Sequence, residues 1–176
     1  MTVLRTARLE LRPLRADDIG EVTTLGADAR VMAPLGGTRS AAECQAWLAR
    51  QIAHTDEHGY GRCAVLRAGE FIGCVGLTRA DFDRGIVPGI EVAWHFAFAH
   101  WRQGFATEAA HAVIQQGFTQ FDLPEVIAVT SIDNARSRRV MDRLGMQYSA
   151  QEDFDHPLLA EGHPLRRHVV YHLRRH

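Results

Sequence analysis

The chain contains no lysine: all 20 of its basic residues are arginine. That absence excludes two chemistries. A Walker A loop places a lysine on the β- and γ-phosphates of its nucleotide, and Schiff-base or pyridoxal catalysis needs a lysine amine. Cysteine is scarce as well. Cys44, Cys63 and Cys74 are odd in number and show no CxxC spacing, which argues against a disulfide framework or a zinc knuckle and for a reducing compartment. No apolar run approaches the roughly 20 residues that span a bilayer. The opening MTVLRTARLELR has no signal-peptide core, so the expectation is a soluble, cytoplasmic protein with no membrane partner. A net charge of −1 supplies no field for nucleic acid, and direct nucleic-acid binding is not expected. Neither a GxSxG elbow nor a GxGxxG fingerprint follows any strand, which removes a serine-hydrolase nucleophile and a dinucleotide-binding oxidoreductase.

What is present is an ordinary globular composition over 176 residues, enough for one domain spanning 1–176 with a core that needs no staples. Alternation predicts a first strand over Arg8 to Leu14, with Leu9, Leu11 and Leu14 inward. Asp17 or Asp18 caps a helix carrying Ile19, Val22 and Leu25, and a Pro/Gly loop from Met32 to Thr38 ends it. Ser40 caps a second helix whose apolar face is Cys44, Trp47, Leu48 and Ile52, closed by His58 and Gly59. Arg62 to Arg67 and Phe71 to Leu77 read as a hairpin across Ala68, Gly69 and Glu70, followed by a loop from Arg79 to Gly89. Further strands are expected over Ile90 to Phe98, Glu125 to Thr130, Gln147 to Phe154 and His168 to Leu173, with a helix from Asn134 to Leu144 ended by Gly145. The order β, α, α, β, β, β, α, β, α, β, β predicts an α/β mixed sheet with helices on both faces.

The stretch from Ile90 to Phe121 organises the rest. An apolar strand passes through His100, Trp101, Arg102, Gln103 and Gly104 into a helix that opens with small residues. A helix N-terminus presents unpaired N–H groups and the positive end of its dipole, so a phosphate can sit there if the backbone approaches closely, and Gly104 and Ala106 permit that approach. Strict alternation places Ile90, Val92, Trp94, Phe96 and Phe98 on one face of the strand and Glu91, Ala93, His95 and Ala97 on the other.

The segment WRQGFATEA resembles the acyl-CoA-binding motif of the GNAT family of N-acetyltransferases, especially its ribosomal-protein N-terminal acetyltransferase branch, where it looks like WGKGYATEA. Trp101, Gly104, Ala106, Thr107, Glu108 and Ala109 are identical to it, and Asn134, Ser137, Leu144 and Gly145 fit the family's downstream N-x-x-S-x-x-x-x-x-x-L-G pattern. The resemblance implies a mixed, mostly antiparallel sheet splayed between its fourth and fifth strands, here Val92 to Ala97 and Glu125 to Thr130. It also implies acetyl-CoA as co-substrate, with no metal. The backbone of Gln103, Gly104, Phe105, Ala106 and Thr107 would cradle the pyrophosphate, and backbone groups near His95 and Phe96 would pair with the pantetheine arm. Arg102 stands where the branch usually has glycine, and fits either a phosphate contact or a solvated loop residue. Many relatives carry a tyrosine as proton donor seven residues after the asparagine; here Met141 stands there and cannot donate. Ser137 matches the serine the ribosomal-protein branch uses instead, and its bland alternative is a first-turn hydroxyl bonded to backbone. Asn134 fits an N-cap, a pantetheine ligand, or both.

A base must take a proton from the attacking ammonium. Glu91 is the first candidate, against a strand-entrance salt bridge, and Glu152 and Asp153 are weaker ones. Glu108, although part of the motif, reads as a carboxylate complementing the helix dipole. Arg136, Arg138, Arg139 and Arg143 form either a solvated face or a source of one contact to the 3′-phosphate. His168, His172 and His176 share a four-residue spacing but lie on a strand, where about 13 Å separates successive members, too far to share a metal. The expected activity is direct acetyl transfer to an amine acceptor, either a protein N-terminus or a small molecule, with the acceptor pocket drawn from Met32 to Thr38, Arg79 to Gly89 and Phe154 to Pro164. The alternative is a non-catalytic acyl-CoA-binding sensor. Among partners, a second copy of the chain as a homodimer stays open.

Overall fold

Apolar residues at alternate positions build the sheet from its first edge inward. The computed structural model describes residues 2–80, 89–157 and 159–175. Among these, nine strands form one sheet: β1 (Leu4–Arg5), β2 (Glu10–Pro13), β3 (Arg62–Arg67), β4 (Glu70–Arg79), β5 (Ile90–Phe96), β6 (Glu125–Ser131), β7 (Gln147–Tyr148), β8 (Phe154–Asp155) and β9 (Arg167–Arg174). Their spatial order is β1-β2-β3-β4-β5-β6-β9-β7, with β8 also pairing β9. Every pairing is antiparallel except β5 with β6.

The parallel pair is also the weak one. β5 and β6 each run seven residues but share only the pairing Glu91↔Ile127. On their other sides both strands are fully paired, from Gly73↔Phe96 to Arg79↔Ile90 and from Glu125↔Arg174 to Ser131↔His168. The sheet is therefore splayed between β5 and β6, from Glu91 toward the C-terminal ends of both strands. These are the fourth and fifth strands of the sequence-based count, which did not include the two-residue β1.

The helices are α1 (Ile19–Ala27), α2 (Ala29–Met32), α3 (Ala41–His58), α4 (Phe105–Gln120) and α5 (Ala135–Arg143). α4 lays Phe105, Ala109, Ala110, Val113, Ile114 and Phe118 against Val75, Val92, Phe96, Val126 and Ala128 in the largest core cluster, which α5 joins through Met141. On the opposite face, Val22 of α1 and Cys44 and Leu48 of α3 cover Ala64. α3 carries the cap expected of it: Ser40 and Glu43 bond each other's backbone and side chain, and Gly59 closes the helix at φ 76°.

Three local expectations change. Asp18 does not cap α1 with its side chain; it accepts both terminal nitrogens of Arg12 at 2.8 and 2.6 Å and the Arg15 N–H at 2.7 Å, so it ties the first turn back to β2. The segment expected as loop from Met32 begins as α2 followed by a 3-10 turn over Ala33–Leu35. The expected tail strand over Gln147 to Phe154 divides into β7 and β8, because a 3-10 turn at Ala150–Glu152 carries Glu152 to His172 on β9.

The β3–β4 hairpin closes through Ala68 at φ 49° and Gly69 at φ 84°. Positive φ at both central residues is the type I′ geometry, which suits asparagine in the first position and strains alanine. Ala68→Asn is expected to stabilise the protein by about 0.5–1 kcal/mol, read as a higher urea midpoint at unchanged slope.

Candidate functional site

The loop between β5 and α4 is shaped by two left-handed residues, Arg102 at φ 62° and Gly104 at φ 82°. Backbone N–H groups brought together by such kinks form an anion-binding concavity. The first helical bond of α4 runs from Glu108 N–H to Gly104 C=O, and the N–H groups of residues 103–107 have no acceptor among the described residues. The Thr107 hydroxyl is buried beside them with no partner among the described residues. Unsatisfied donors around a helix N-terminus fit a pyrophosphate. The geometry also accounts for Arg102, which occupies a conformation that glycine adopts freely and arginine at a cost on the order of 1 kcal/mol.

Two residues near the chain start hold this loop. Thr6 Oγ1 donates to Glu108 at 2.6 Å, and the Arg8 backbone and guanidinium donate to the same carboxylate at 3.0 and 2.7 Å. Arg8 also donates to the Gln103 carbonyl at 3.0 Å. Burial pushes the Glu108 carboxyl up, but the bonds from Thr6 and Arg8 outweigh it and hold the group below the ordinary carboxylate range. Glu108 is thus a tie between α4 and the turn before β2, a role that i,i+4 logic within one helix could not reveal. Next to it, an open groove of about 490 Å³ is bordered by Gly104, Thr107, His111 and Arg143. Of the four arginines on α5, Arg136 stacks over Trp101 at 4.4 Å, Arg138 donates to Tyr171 Oη and the Ile132 carbonyl, and Arg139 donates to the Ala135 carbonyl. Arg143 is the member that faces the groove.

Register fixes which backbone groups of β5 face the splay. Ala97 N–H donates to the Ile72 carbonyl of β4's side, and bonded residues alternate in an antiparallel pair, so Glu91, Ala93, His95 and Ala97 spend their N–H and C=O groups on β4. Trp94 and Phe96 turn theirs toward the opening. Trp101 Nε1 donates to the Phe96 carbonyl at 2.7 Å, which leaves the Phe96 N–H and both Trp94 groups on the free edge. The Phe96 N–H thus lies on the open edge together with Trp94, whereas the backbone of His95, expected to face the opening as well, is paired with β4.

That side chain lies on the face opposite α4, together with Glu91. The rows Ala64–Cys74–His95 and Arg62–Gly76–Ala93 cross the sheet on this face. Gly76 positions Arg62: a Cβ there would stand 2.1 Å from the Gly61 carbonyl, so only glycine lets the start of β3 lie so close. Burial pushes the Glu91 carboxyl up, and Arg62 offsets only part of that. Glu91 makes no salt bridge with any described residue. Burial, reinforced by Arg62 and Arg39, drives His95 down to about 3, and burial drives Cys74 up to about 11. The 3.9 Å contact between Cys74 Sγ and His95 Nδ1 is therefore a neutral one, without the thiolate that covalent catalysis needs.

At the far end of the splay, Asn134 caps α5 by accepting from the Ser137 N–H at 3.2 Å and donates to Thr130 Oγ1 at 2.9 Å. The Ser137 hydroxyl makes no hydrogen bond with a described residue. Met141, one turn further on, is buried in the main core. The weaker base candidates are engaged: Glu152 accepts from His172 Nε2 at 2.6 Å and Asp153 from the Tyr148 hydroxyl at 2.7 Å. His172 also meets Glu125 at 2.5 Å through Nδ1, while His168 meets the Arg166 carbonyl, so these two act separately, and His176 lies outside the described residues. Most of the expected Arg79 to Gly89 pocket wall, residues 81–88, lies outside them too. Sequence reasoning missed Arg62, Arg39, Trp94 and the Glu125–His172–Glu152 chain. For Arg62, the one signal was a charged residue opening an otherwise apolar strand.

Comparison with known proteins agrees with this geometry. The family profile described as Acetyltransferase (GNAT) domain matches residues 8–147. An uncharacterised Bacillus subtilis protein, YkkB, is 30% identical over 155 residues, 84% of this chain and 87% of its own. The crystal structure of an acetyltransferase from Agrobacterium tumefaciens superposes with a TM-score of 0.81 at 26% identity, covering 99% of this chain and 95% of that one. RimL, a ribosomal L7/L12 α-N-protein acetyltransferase solved with coenzyme A, shares the fold at TM-score 0.80 and 13% identity over 98% of both chains.

The Glu108 tie has a measurable signature. Glu108→Gln is expected to cost about 1–3 kcal/mol in chemical denaturation at neutral pH. Because the folded carboxyl sits below its ordinary 4.5, its contribution is complete above that value and disappears as pH falls through the lower folded one. Wild type and variant should converge under acid.

Proposed function

The chain belongs to the GNAT family of acetyltransferases, and from that premise we propose that it moves an acetyl group from acetyl-CoA directly to a primary amine, a protein N-terminus or a small molecule. The observation that carries the proposal is the parting of β5 from β6 beside a cradle of unpartnered N–H groups. Acetyl-CoA supplies the activated acetyl group as a thioester. Residues 103–107 bind the pyrophosphate, with Arg102 at the loop rim and Arg143 across the groove as the counter-charge for a further phosphate. The free edge at Trp94 and Phe96 orients the pantetheine amides, and the Phe96 N–H lies on the strand edge where a developing oxyanion is stabilised.

Glu91 removes the proton from the incoming ammonium. It is a carboxyl without an ion-pair partner whose affinity for a proton is raised by burial, which brings a base closer to working pH. Ser137 returns a proton to the departing thiolate, a role supported by its uncommitted hydroxyl at the head of α5. The three cysteines are free and buried, which supports a reducing, cytoplasmic setting.

The assay is coenzyme A thiol release over a panel of amines and N-terminal peptides; tight acetyl-CoA binding with no acceptor-dependent thiol would establish the sensor instead. In the active enzyme, the turnover rate should rise with pH as Glu91 ionises, above the ordinary carboxylate value because its folded affinity is raised. Glu91→Gln should lower the rate by about 10²–10⁴-fold and flatten that limb, with acetyl-CoA affinity retained. For Ser137→Ala, a loss of about 10-fold or more in kcat with little change in KM for acetyl-CoA is expected, and an unaltered rate removes Ser137 from the proton path.

A further inference from the structure

Among the described residues Arg62 is the least accommodated charge. The residue is only 8% exposed, and Nε and Nη1 are sealed from solvent with no hydrogen-bond partner among those residues. Burying an unpaired guanidinium is costly, and this chain shows the ordinary solution elsewhere: Arg12, comparably enclosed, is held by both oxygens of Asp18. Arg39 repeats the anomaly nearby. Burial lowers its proton affinity, Arg62 adds like-charge repulsion, and its one ring contact is Trp47 at 5.6 Å. Neither arginine forms a salt bridge with a described residue, although Arg5, Arg8, Arg30, Arg166, Arg167 and Arg174 all do.

Arg62 lies on the sheet face that carries Glu91 and His95, one row from Glu91, and Arg39 borders a small cavity over the same face with Met32, Trp47, Cys74 and His95. This face therefore carries both signs of charge, the Glu91 carboxyl at the splay and the guanidiniums of Arg62 and Arg39, with no ion pair among them. Resting on the transferase reading above, we infer that the acceptor is a small amine carrying a carboxylate, with the carboxylate received by Arg62 and Arg39 and the amine directed to Glu91. A carboxylate satisfies the two planar donors as Asp18 satisfies Arg12. The depth of Arg62, whose Nε and Nη1 are sealed from solvent, favours a small molecule over a protein N-terminus.

The test has two arms. In the first, calorimetry on the protein saturated with coenzyme A follows the binding of alanine, methionine and glutamate, each paired with its C-terminal amide. At least one acid should bind about 10–100-fold more tightly than its amide, and Arg62→Gln should erase that preference. Arg39→Gln, at a partly buried position outside the strands, should reduce it in the same sense and guards against misfolding of the Arg62 variant. No preference in any pair, or an unchanged preference in both folded variants, overturns the inference. In the second arm, thiol release is measured with the same pairs and with N-terminal peptides. Turnover of amides or peptides in preference to the acids refutes the anionic acceptor and leaves the transferase standing; preferential binding of an acid without any turnover refutes the transferase and leaves the carboxylate site.

Discussion

The structure depends on one place where a sheet stops being a sheet. β5 and β6 meet at Glu91↔Ile127 and then separate, although each is fully paired on its other side. Separation leaves backbone donors and acceptors unsatisfied inside a domain, a state that ordinarily costs free energy for every orphaned group. The molecule limits that cost in two ways. The Trp101 indole N–H reaches back to take the Phe96 carbonyl, and the cap at Asn134 draws Thr130 of β6 into α5's first turn. What remains open on β5 is a short run of edge at Trp94 and Phe96, which is what an extended, amide-bearing arm can fill. The helix after β5 and the helix after β6 then aim their N-terminal turns at the same opening.

The two faces of the opening divide the electrostatic work. On the α4 side the charges are backbone dipoles, held by an ion pair that fastens residues 6–8 to Glu108. On the other side the charges are side chains. Glu91, Arg62 and Arg39 are each desolvated and none forms a salt bridge with a described residue, an arrangement that ground-state stability alone does not select. Free energy stored in this way is returned when a ligand of complementary charge enters, and sites that bind or react are where such groups concentrate.

How much of this the sequence made legible follows from the range of each interaction. α3 could be read with both ends, because Ser40, Glu43 and Gly59 act through bonds a few residues long. The β3–β4 hairpin was legible for the same reason. The cradle at residues 103–107 could be read because small residues, a turn and a helix start follow one another directly, and the family resemblance then located the splay. Longer-range facts were hidden. The parity of β5 depends on which β4 residue bonds Ala97, so alternation correctly sorted the side chains of Glu91 and His95 but could not say that the His95 backbone was spent. Glu108 looked like a dipole partner because its true partners lie about a hundred residues earlier. The tail read as one strand because a 3-10 turn directed by a distant His172 leaves no local mark.

The absence of lysine takes on a structural meaning at Arg62. A lysine enclosed without a counter-ion lowers its own proton affinity and becomes a neutral amine, which removes both the cost and the field. A guanidinium cannot escape in that way, because it keeps its proton at any physiological pH. At Arg62 the positive charge is therefore permanent, as is the need for an acceptor oxygen at Nε and Nη1. Glu91 can respond to burial by holding its proton more tightly, and in doing so it becomes a better base; Arg62 can only wait for an anion. One fold face thus places a tunable charge next to an untunable one, with the tunable group at the splay and the fixed one deeper in the sheet.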